Sequence, residues 1–204
     1  MIAALYVMAD GIYSGRPDVD CWDEARDARN YAGPWPVVTH PPCSRWGRYA
    51  NGGPGARVRR IVGDDEGCFL SALVAVRAFG GVLEHPAGSL AFTHFGLERP
   101  PHGGGWKMVR SHEWVCEVAQ GNYGHRANKS TWLYVVGPKP PELIWGKAPL
   151  SDARKAELAS SPDRKRAIKT GICQRMSRKQ RQATPPEFAE LLLSIARTAI
   201  KEKP

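Results

Sequence analysis

Two short apolar runs, each ending in a polar corner that contains proline, constrain this chain more than any other feature. Pro36-Val37-Val38-Thr39 leads into His40-Pro41-Pro42-Cys43, and Val82-Leu83 leads into Glu84-His85-Pro86. Apolar, β-branched runs of this length read as central strands, and proline, which has no N–H to donate, stops them. Between the two lies Asp65 to Phe79, with acids in its first turn and apolar residues at helical spacing, stopped by Gly80-Gly81. A strand, a helix and a second strand predict a parallel pair with a helical crossover. That is an α/β fold, whose site lies outside the carboxyl ends of its strands. Cys43 and Glu84 both fall at that edge.

The remaining chain is read around this unit. Ala3 to Val7 predicts a buried strand followed by turns at Asp10-Gly11 and Ser14-Gly15-Arg16-Pro17, and Asp20 to Tyr31 a short charged helix broken by Gly33-Pro34. Residues 47 to 60, rich in glycine and arginine, suit a mobile basic loop able to close over a phosphate backbone. Ser89 to Phe95 predicts a further helix. Glu113 to Val118 and Trp132 to Val136 predict strands enclosing a hairpin-like edge, and Pro138 to Arg181 irregular surface with one short helix. Thr184-Pro185-Pro186 starts a last helix, Glu187 to Ile200, striped by Phe188, Leu191, Leu192, Ile195 and Ile200.

At 204 residues without an internal repeat, the expectation is one domain spanning 1–204. No apolar run approaches the roughly 20 residues that cross a bilayer. The start, Met1 to Met8, lacks a basic leader and cleavage pattern, so an intracellular, cytoplasmic protein is expected. The 5 cysteines, at 21, 43, 68, 116 and 173, form no C-x-x-C pair, which argues against a disulfide framework or a zinc site; four read most simply as buried small apolar residues. The 6 histidines form neither H-x-x-x-H nor an H-x-E with a C-x-x-C partner, so no metal is expected. A net charge of +9 favours a polyanionic partner, nucleic acid first, because lysine and arginine that neutralise phosphates release counterions; basic proteins of other kinds share such a charge.

Cys43 at a rigid Pro-Pro turn and Glu84 at the next strand end suit attack on a ring carbon. A thiolate adding to C6 of a pyrimidine makes C5 nucleophilic, provided that an acid protonates or hydrogen-bonds N3 at the same time. Taken singly, a cysteine after Pro-Pro is more often structural and a lone glutamate is usually solvated.

Four segments in order resemble the motifs of the cytosine-C5 DNA methyltransferase family. Pro41-Pro42-Cys43 is similar to its nucleophile motif, Pro-Pro-Cys-Gln, and Glu84-His85-Pro86 to its Glu-Asn-Val or Glu-Asn-Pro motif, whose Glu engages N3. Tyr123 to Gly137 keeps the length of the family's Tyr-Gly-x-Pro-Gln-x-Arg-x-Arg segment and following strand, and Gln182 to Ala189 resembles Gly-Asn-Ala-Val-Pro-Pro-x-Leu-Ala. The resemblance covers islands between about residues 37 and 200 and extends to compact methyltransferase-like proteins of phages. It implies a Rossmann-like methyltransferase-type sheet with flanking helices, DNA as substrate, and Cys43 and Glu84 as catalytic residues. Lys129 and Thr131 stand where the family has arginines, so either Lys129 or Arg126 holds the pyrimidine O2 or the base is held differently.

The amino-terminal cofactor half departs most from the family. Its glycine-rich turn and ribose-binding acid for S-adenosylmethionine have only Asp10-Gly11 and Asp23 as counterparts, with Gln182 from the last motif completing the pocket. Asp10 and Asp23 also read as turn and helix-cap residues. The donor half is shortened, and no separate target-recognition domain fits between Gly137 and Gln182. Arg57, Arg59, Arg60, Arg164, Lys165 and Arg166 are candidate phosphate contacts, and Trp46 and Tyr49 candidates to stack on a displaced base, which must be flipped out or already single-stranded. They read equally as solvated charges and core aromatics. Two alternatives stand beside cytosine methylation: C5 modification with another one-carbon donor or on a nucleotide, and a catalytically silent protein that binds DNA or a host protein to mask sites from restriction.

Overall fold

The structure is a computed structural model that describes residues 1–47, 49–52, 56–150, 152–160 and 176–199. In chain order the strands are β1 (Ile2–Leu5), β2 (Val19–Trp22), β3 (Val37–Thr39), β4 (Gly81–Pro86), β5 (Lys107–Arg110), β6 (Glu113–Ala119) and β7 (Ser130–Val136). The α-helices are α1 (Cys68–Phe79), α2 (Leu90–His94), α3 (Asp152–Ala159), α4 (Arg178–Gln182) and α5 (Pro186–Thr198). One sheet has the order β2-β1-β3-β4-β7-β6-β5, its first four strands parallel and β7, β6 and β5 antiparallel to their neighbours.

The parallel unit is built as its residues require. Asp65 opens α1 by accepting from Gly67 N at 3.1 Å and Phe69 N at 2.9 Å, satisfying donors that a helix start leaves without partners. Gly80 and Gly81 then carry the chain back into the sheet with φ of 78° and 115°. A Cβ on Gly81 would lie 2.0 Å from the Val37 carbonyl oxygen, so only glycine lets β4 approach β3 here.

Helices cover both faces of the sheet. Leu5, Val37, Leu83 and Tyr134 pack with Phe69, Leu73 and Val76 of α1 and Phe92 of α2. Ala4, Val38, Val82, Leu133 and Val135 pack with Phe188, Leu192, Leu193 and Ile195 of α5. Burial on both faces explains why these strands read as unbroken apolar runs rather than as alternating ones.

The α/β class, the crossover helix and the last helix agree with the sequence reading. Asp20 to Tyr31 does not form a helix. Val19–Trp22 joins the sheet beside β1, and only a 3-10 turn follows at Ala28–Asn30, opened by Asp27, whose carboxylate accepts from Arg29 N. The β6–β7 hairpin is not the edge, because β7 also pairs with β4 and β5 takes the outer position; the exposed β5 carries no alternation from which to predict it. Of the cysteines only Cys116 is buried; Cys21, Cys43 and Cys68 are half-buried, and Cys173 lies outside the described residues. Among the described residues no helix is long and apolar enough to cross a membrane.

Candidate functional site

From the end of β1 the chain crosses to β2 on one side and returns to β3 on the other. The sheet therefore has a topological switch between β1 and β3, where α/β sheets bind ligands outside their carboxyl ends. His40 follows β3 at this place, Cys43 stands just beyond it, and Glu84 occupies the carboxyl half of β4. The period-two pleat sends Glu84 to the α5 face with Val82, and His85 to the α1 face with Leu83.

Glu84 is the centre of a hydrogen-bonded chain. His40 Nδ1 lies 2.9 Å from Glu84 Oε2, and His40 Nε2 lies 2.9 Å from the Tyr13 hydroxyl. Gln120 Nε2 donates to Glu84 Oε1 at 3.2 Å and to Thr131 Oγ1 at 3.0 Å. Burial pushes the Glu84 pKa up, but the hydrogen bond and charge of His40, followed by the charge of Lys129, outweigh it. The carboxyl is held below its usual range and rests as a carboxylate, which only accepts hydrogen bonds. His40 Nδ1 therefore carries the proton. In neutral His40 the Nε2 then accepts from the Tyr13 O–H, and in the imidazolium the same hydroxyl accepts instead.

Lys129 closes the site from the β6–β7 connection. It takes a left-handed backbone conformation at φ 42°, uncommon for a side chain of this size. Its Nζ donates to the Gln182 and Ala183 carbonyls at 3.1 and 2.9 Å, tying the approach to α5 onto the site. Burial pushes its pKa down, opposed by the charges of Glu84 and of Cys43. Lys129 thus interacts with both residues singled out as nucleophile and acid. Arg126 of the same connection is exposed.

Cys43 lines a cavity of about 530 Å³ with Trp46, Gly47, His85, Pro86, Ala87, Gly88, Ser89 and Leu90. Its volume lies within the range of small-molecule pockets. His85 Nδ1 is 2.7 Å from Ser89 Oγ, which also accepts from Ala91 N at 3.1 Å and starts α2. Burial drives the His85 pKa down to about 4, against the opposing effects of Glu84, the Pro42 carbonyl, Asp65 and the Pro41 carbonyl. Its Nε2 faces those two proline carbonyls without reaching hydrogen-bond geometry. His85 is neutral there and lies against the Pro-Pro turn that carries Cys43.

Other candidates are placed elsewhere or differently. Trp46 is a core residue: it is 1% exposed, packs on Phe69 and Phe95 and donates its indole N–H to Asp65 Oδ2 at 2.7 Å, so its ring is not free to stack on a displaced base. Tyr49, Arg57, Arg59 and Arg60 are exposed on the loop after Cys43, whereas Arg164, Lys165 and Arg166 lie outside the described residues. Asp10 is exposed in the turn after β1. Asp23, directly after β2, accepts from Arg26 N at 3.0 Å within a turn; with no helix there it caps none, since Asp27 opens the 3-10 turn that follows. Gln182 is exposed, and its carbonyl serves Lys129. Among the described residues no three histidine, cysteine or acidic side chains gather as a metal site.

Residues 6–18, between β1 and β2, contain turns and no helix, and the turn after β1 is made by Tyr6 at φ 59° rather than by glycine. Tyr13 from this segment is 2% exposed, and its ring lies 5.6 Å from that of His40. It fills the switch point between the ends of β1 and β3.

Sequence reasoning missed Tyr13, His40, Gln120 and Thr131. The available signal was polar residues at strand ends, His40 directly before Pro-Pro-Cys and Gln120 directly after the apolar end of β6. Comparison of the chain with protein-family models, curated proteins and solved structures finds no match.

Proposed function

We propose that this protein modifies a pyrimidine at C5 in DNA, in the manner of the cytosine-C5 methyltransferases that its motifs resemble. One observation carries the reading: the carboxyl ends of neighbouring strands β3 and β4 bring Cys43, beside a cavity, and Glu84, hydrogen-bonded by His40 and Gln120, to one sheet edge, where the charge of Lys129 also acts on both. An ammonium there favours the thiolate, which is the attacking form of cysteine. It also suits an electron-rich ring oxygen, the place of Lys129 rather than of exposed Arg126. The cavity beside Cys43 is lined by His85 and not by Glu84, so a base, flipped out or single-stranded, would have to extend from it across the carboxyl end of β4 to reach Glu84; Arg57, Arg59 and Arg60 on the following loop suit its flanking phosphates.

In this reaction the Cys43 sulfur bonds to C6, the ring electrons shift toward N3, and Glu84 stands at N3. C5 then takes the incoming carbon, loses its proton, and the C–S bond breaks to restore the thiolate. S-adenosylmethionine is the donor that the resemblance implies. Tyr13 at the switch point and the helix-free β1–β2 connection favour a second reading, in which the donor is a different one-carbon carrier.

Incubation with DNA containing 5-fluorocytosine and S-adenosylmethionine tests both, because fluorine at C5 blocks the final elimination. A covalent adduct lost in Cys43→Ala is expected. An adduct without donor binding by calorimetry selects the second reading, and no adduct under any condition leaves a protein that only binds DNA or a partner.

A further inference from the structure

We propose that His40 is a proton relay for Glu84, supplying the proton that Glu84 delivers to the ring and taking it back afterwards. The inference rests on the C5-modification reading and adds a residue to it. Attack at C6 needs a proton at N3, yet Glu84 rests as a carboxylate, so it has none to give until another group recharges it.

The geometry supplies that group. His40 Nδ1 is 2.9 Å from Glu84 Oε2, and a carboxylate partner requires that this nitrogen carry hydrogen. On the far side, Tyr13 O lies 2.9 Å from Nε2, and a hydroxyl can donate to a neutral imidazole or accept from a protonated one. His40 can therefore take up a proton at Nε2 without forfeiting either hydrogen bond, and stands charged with an Nδ1 proton ready for Glu84. A lysine in place of Tyr13, which only donates, would hold only the neutral state as well. The His40 side chain is 14% exposed, enough for exchange with solvent, while Glu84 Oε1 is oriented by Gln120.

The charged and titratable groups around this pair come from five elements. Glu84 and His85 belong to β4, Lys129 precedes β7, Tyr13 and Arg16 belong to the β1–β2 connection, Cys21 to β2 and Glu190 to α5; the last three act on Tyr13.

The step balances as follows. The Cys43 sulfur forms its bond to C6, the C5=C6 pair moves toward C4, and N3 takes a proton from Glu84. Glu84 in turn takes the Nδ1 proton of the His40 imidazolium, leaving neutral His40 with its hydrogen on Nε2, donated to the Tyr13 hydroxyl, until the returning proton restores Nδ1–H. C5 then takes an electrophile, a deuteron from solvent in the exchange reaction or the incoming carbon in the full one; its original hydrogen leaves to solvent water as the C–S bond breaks and C5=C6 re-forms, and the N3 proton returns by the same path.

Exchange of the C5 hydrogen of cytosine in a single-stranded oligonucleotide in D2O, followed by mass spectrometry, needs no donor and reads this step directly. Wild type should exchange and Cys43→Ala should not. His40→Gln, which keeps hydrogen-bonding groups but cannot titrate, should exchange about 100-fold more slowly and lose the pH dependence of wild type. His40→Ala should regain exchange with added imidazoles, the rate following their basicity, a dependence that a packing role would not produce. A wild-type rate and pH profile in His40→Gln, beside an inactive Cys43→Ala, overturns the relay alone; absence of exchange in wild type overturns the C5-modification reading itself. Nitrogen NMR of wild-type His40 keeps the proposal testable if the variants fail to fold: hydrogen on Nδ1 in the neutral form is expected, and hydrogen on Nε2 alone refutes it.

Discussion

Gln120 donates one amide group to two acceptors, Glu84 Oε1 at 3.2 Å and Thr131 Oγ1 at 3.0 Å, and so fixes the orientation of the central carboxylate from the neighbouring antiparallel strands. Gln120 is fully buried, and leaving a charged partner without its donor in such a place costs about 1–3 kcal/mol. Gln120→Leu should lower thermal stability by that amount and raise the Glu84 pKa, which side-chain carbon NMR of Glu84 would report. An unchanged carboxyl titration would show that Gln120 does not stabilise the carboxylate.

Lys129 should matter to the site and to the docking of α5 alike. Lys129→Met keeps the stem but removes the cation that faces Glu84 and Cys43 and the donor to the Gln182 and Ala183 carbonyls. Cysteine alkylation at neutral pH should slow by roughly tenfold, as expected when a nearby cation that favours the thiolate is lost. Hydrogen exchange at the start of α5 should become faster. An alkylation rate equal to wild type would detach Lys129 from the chemistry.

His85 makes stability depend on acidity. Its pKa falls from 6.5 to about 4 on folding, so the unfolded chain binds more protons than the folded one between those values. Stability is constant above about pH 6.5 and declines as pH falls toward 4, by roughly 3 kcal/mol if the shift is fully expressed. Glu84, with its lowered pKa, acts only further down, because its contribution is present above the ordinary carboxyl range and is lost as pH falls through it. His85→Asn should reduce the slope of urea midpoints between pH 6.5 and 4, leaving the part due to His125, whose pKa burial also lowers, and the decline below pH 4. An unaltered slope in that variant would place the effect on another group.

Trp46→Ala and Gly81→Ala test the scaffold beneath the site. Removing the buried indole, with its hydrogen bond to Asp65, should cost about 3–5 kcal/mol. In Gly81→Ala a methyl 2.0 Å from the Val37 carbonyl oxygen must push β4 from β3, and soluble folded protein is not expected. A Gly81→Ala protein with a wild-type melting curve would contradict the β3–β4 register.

The sequence by itself determined the local grammar of the chain. Proline at the ends of β3 and β4, the apolar spacing of α1 and α5 and the glycines after α1 each act within a few residues, so the α/β class and the strand-end positions of Cys43 and Glu84 were legible. Val19–Trp22 was misread because a short polar segment carries no periodicity, and it becomes a strand by pairing with β1. Trp46 was misread for a similar reason, since an aromatic residue in a basic segment is a surface or a core residue only according to what packs on it.

The hydrogen-bonded chain from Tyr13 through His40 and Glu84 to Gln120 was decided by the tertiary structure alone. Its members come from the β1–β2 connection, the ends of β3 and β4 and the turn after β6, and only the sheet order brings them together. Proton positions follow in turn from burial and from which partner can accept, quantities that exist only once the chain is folded.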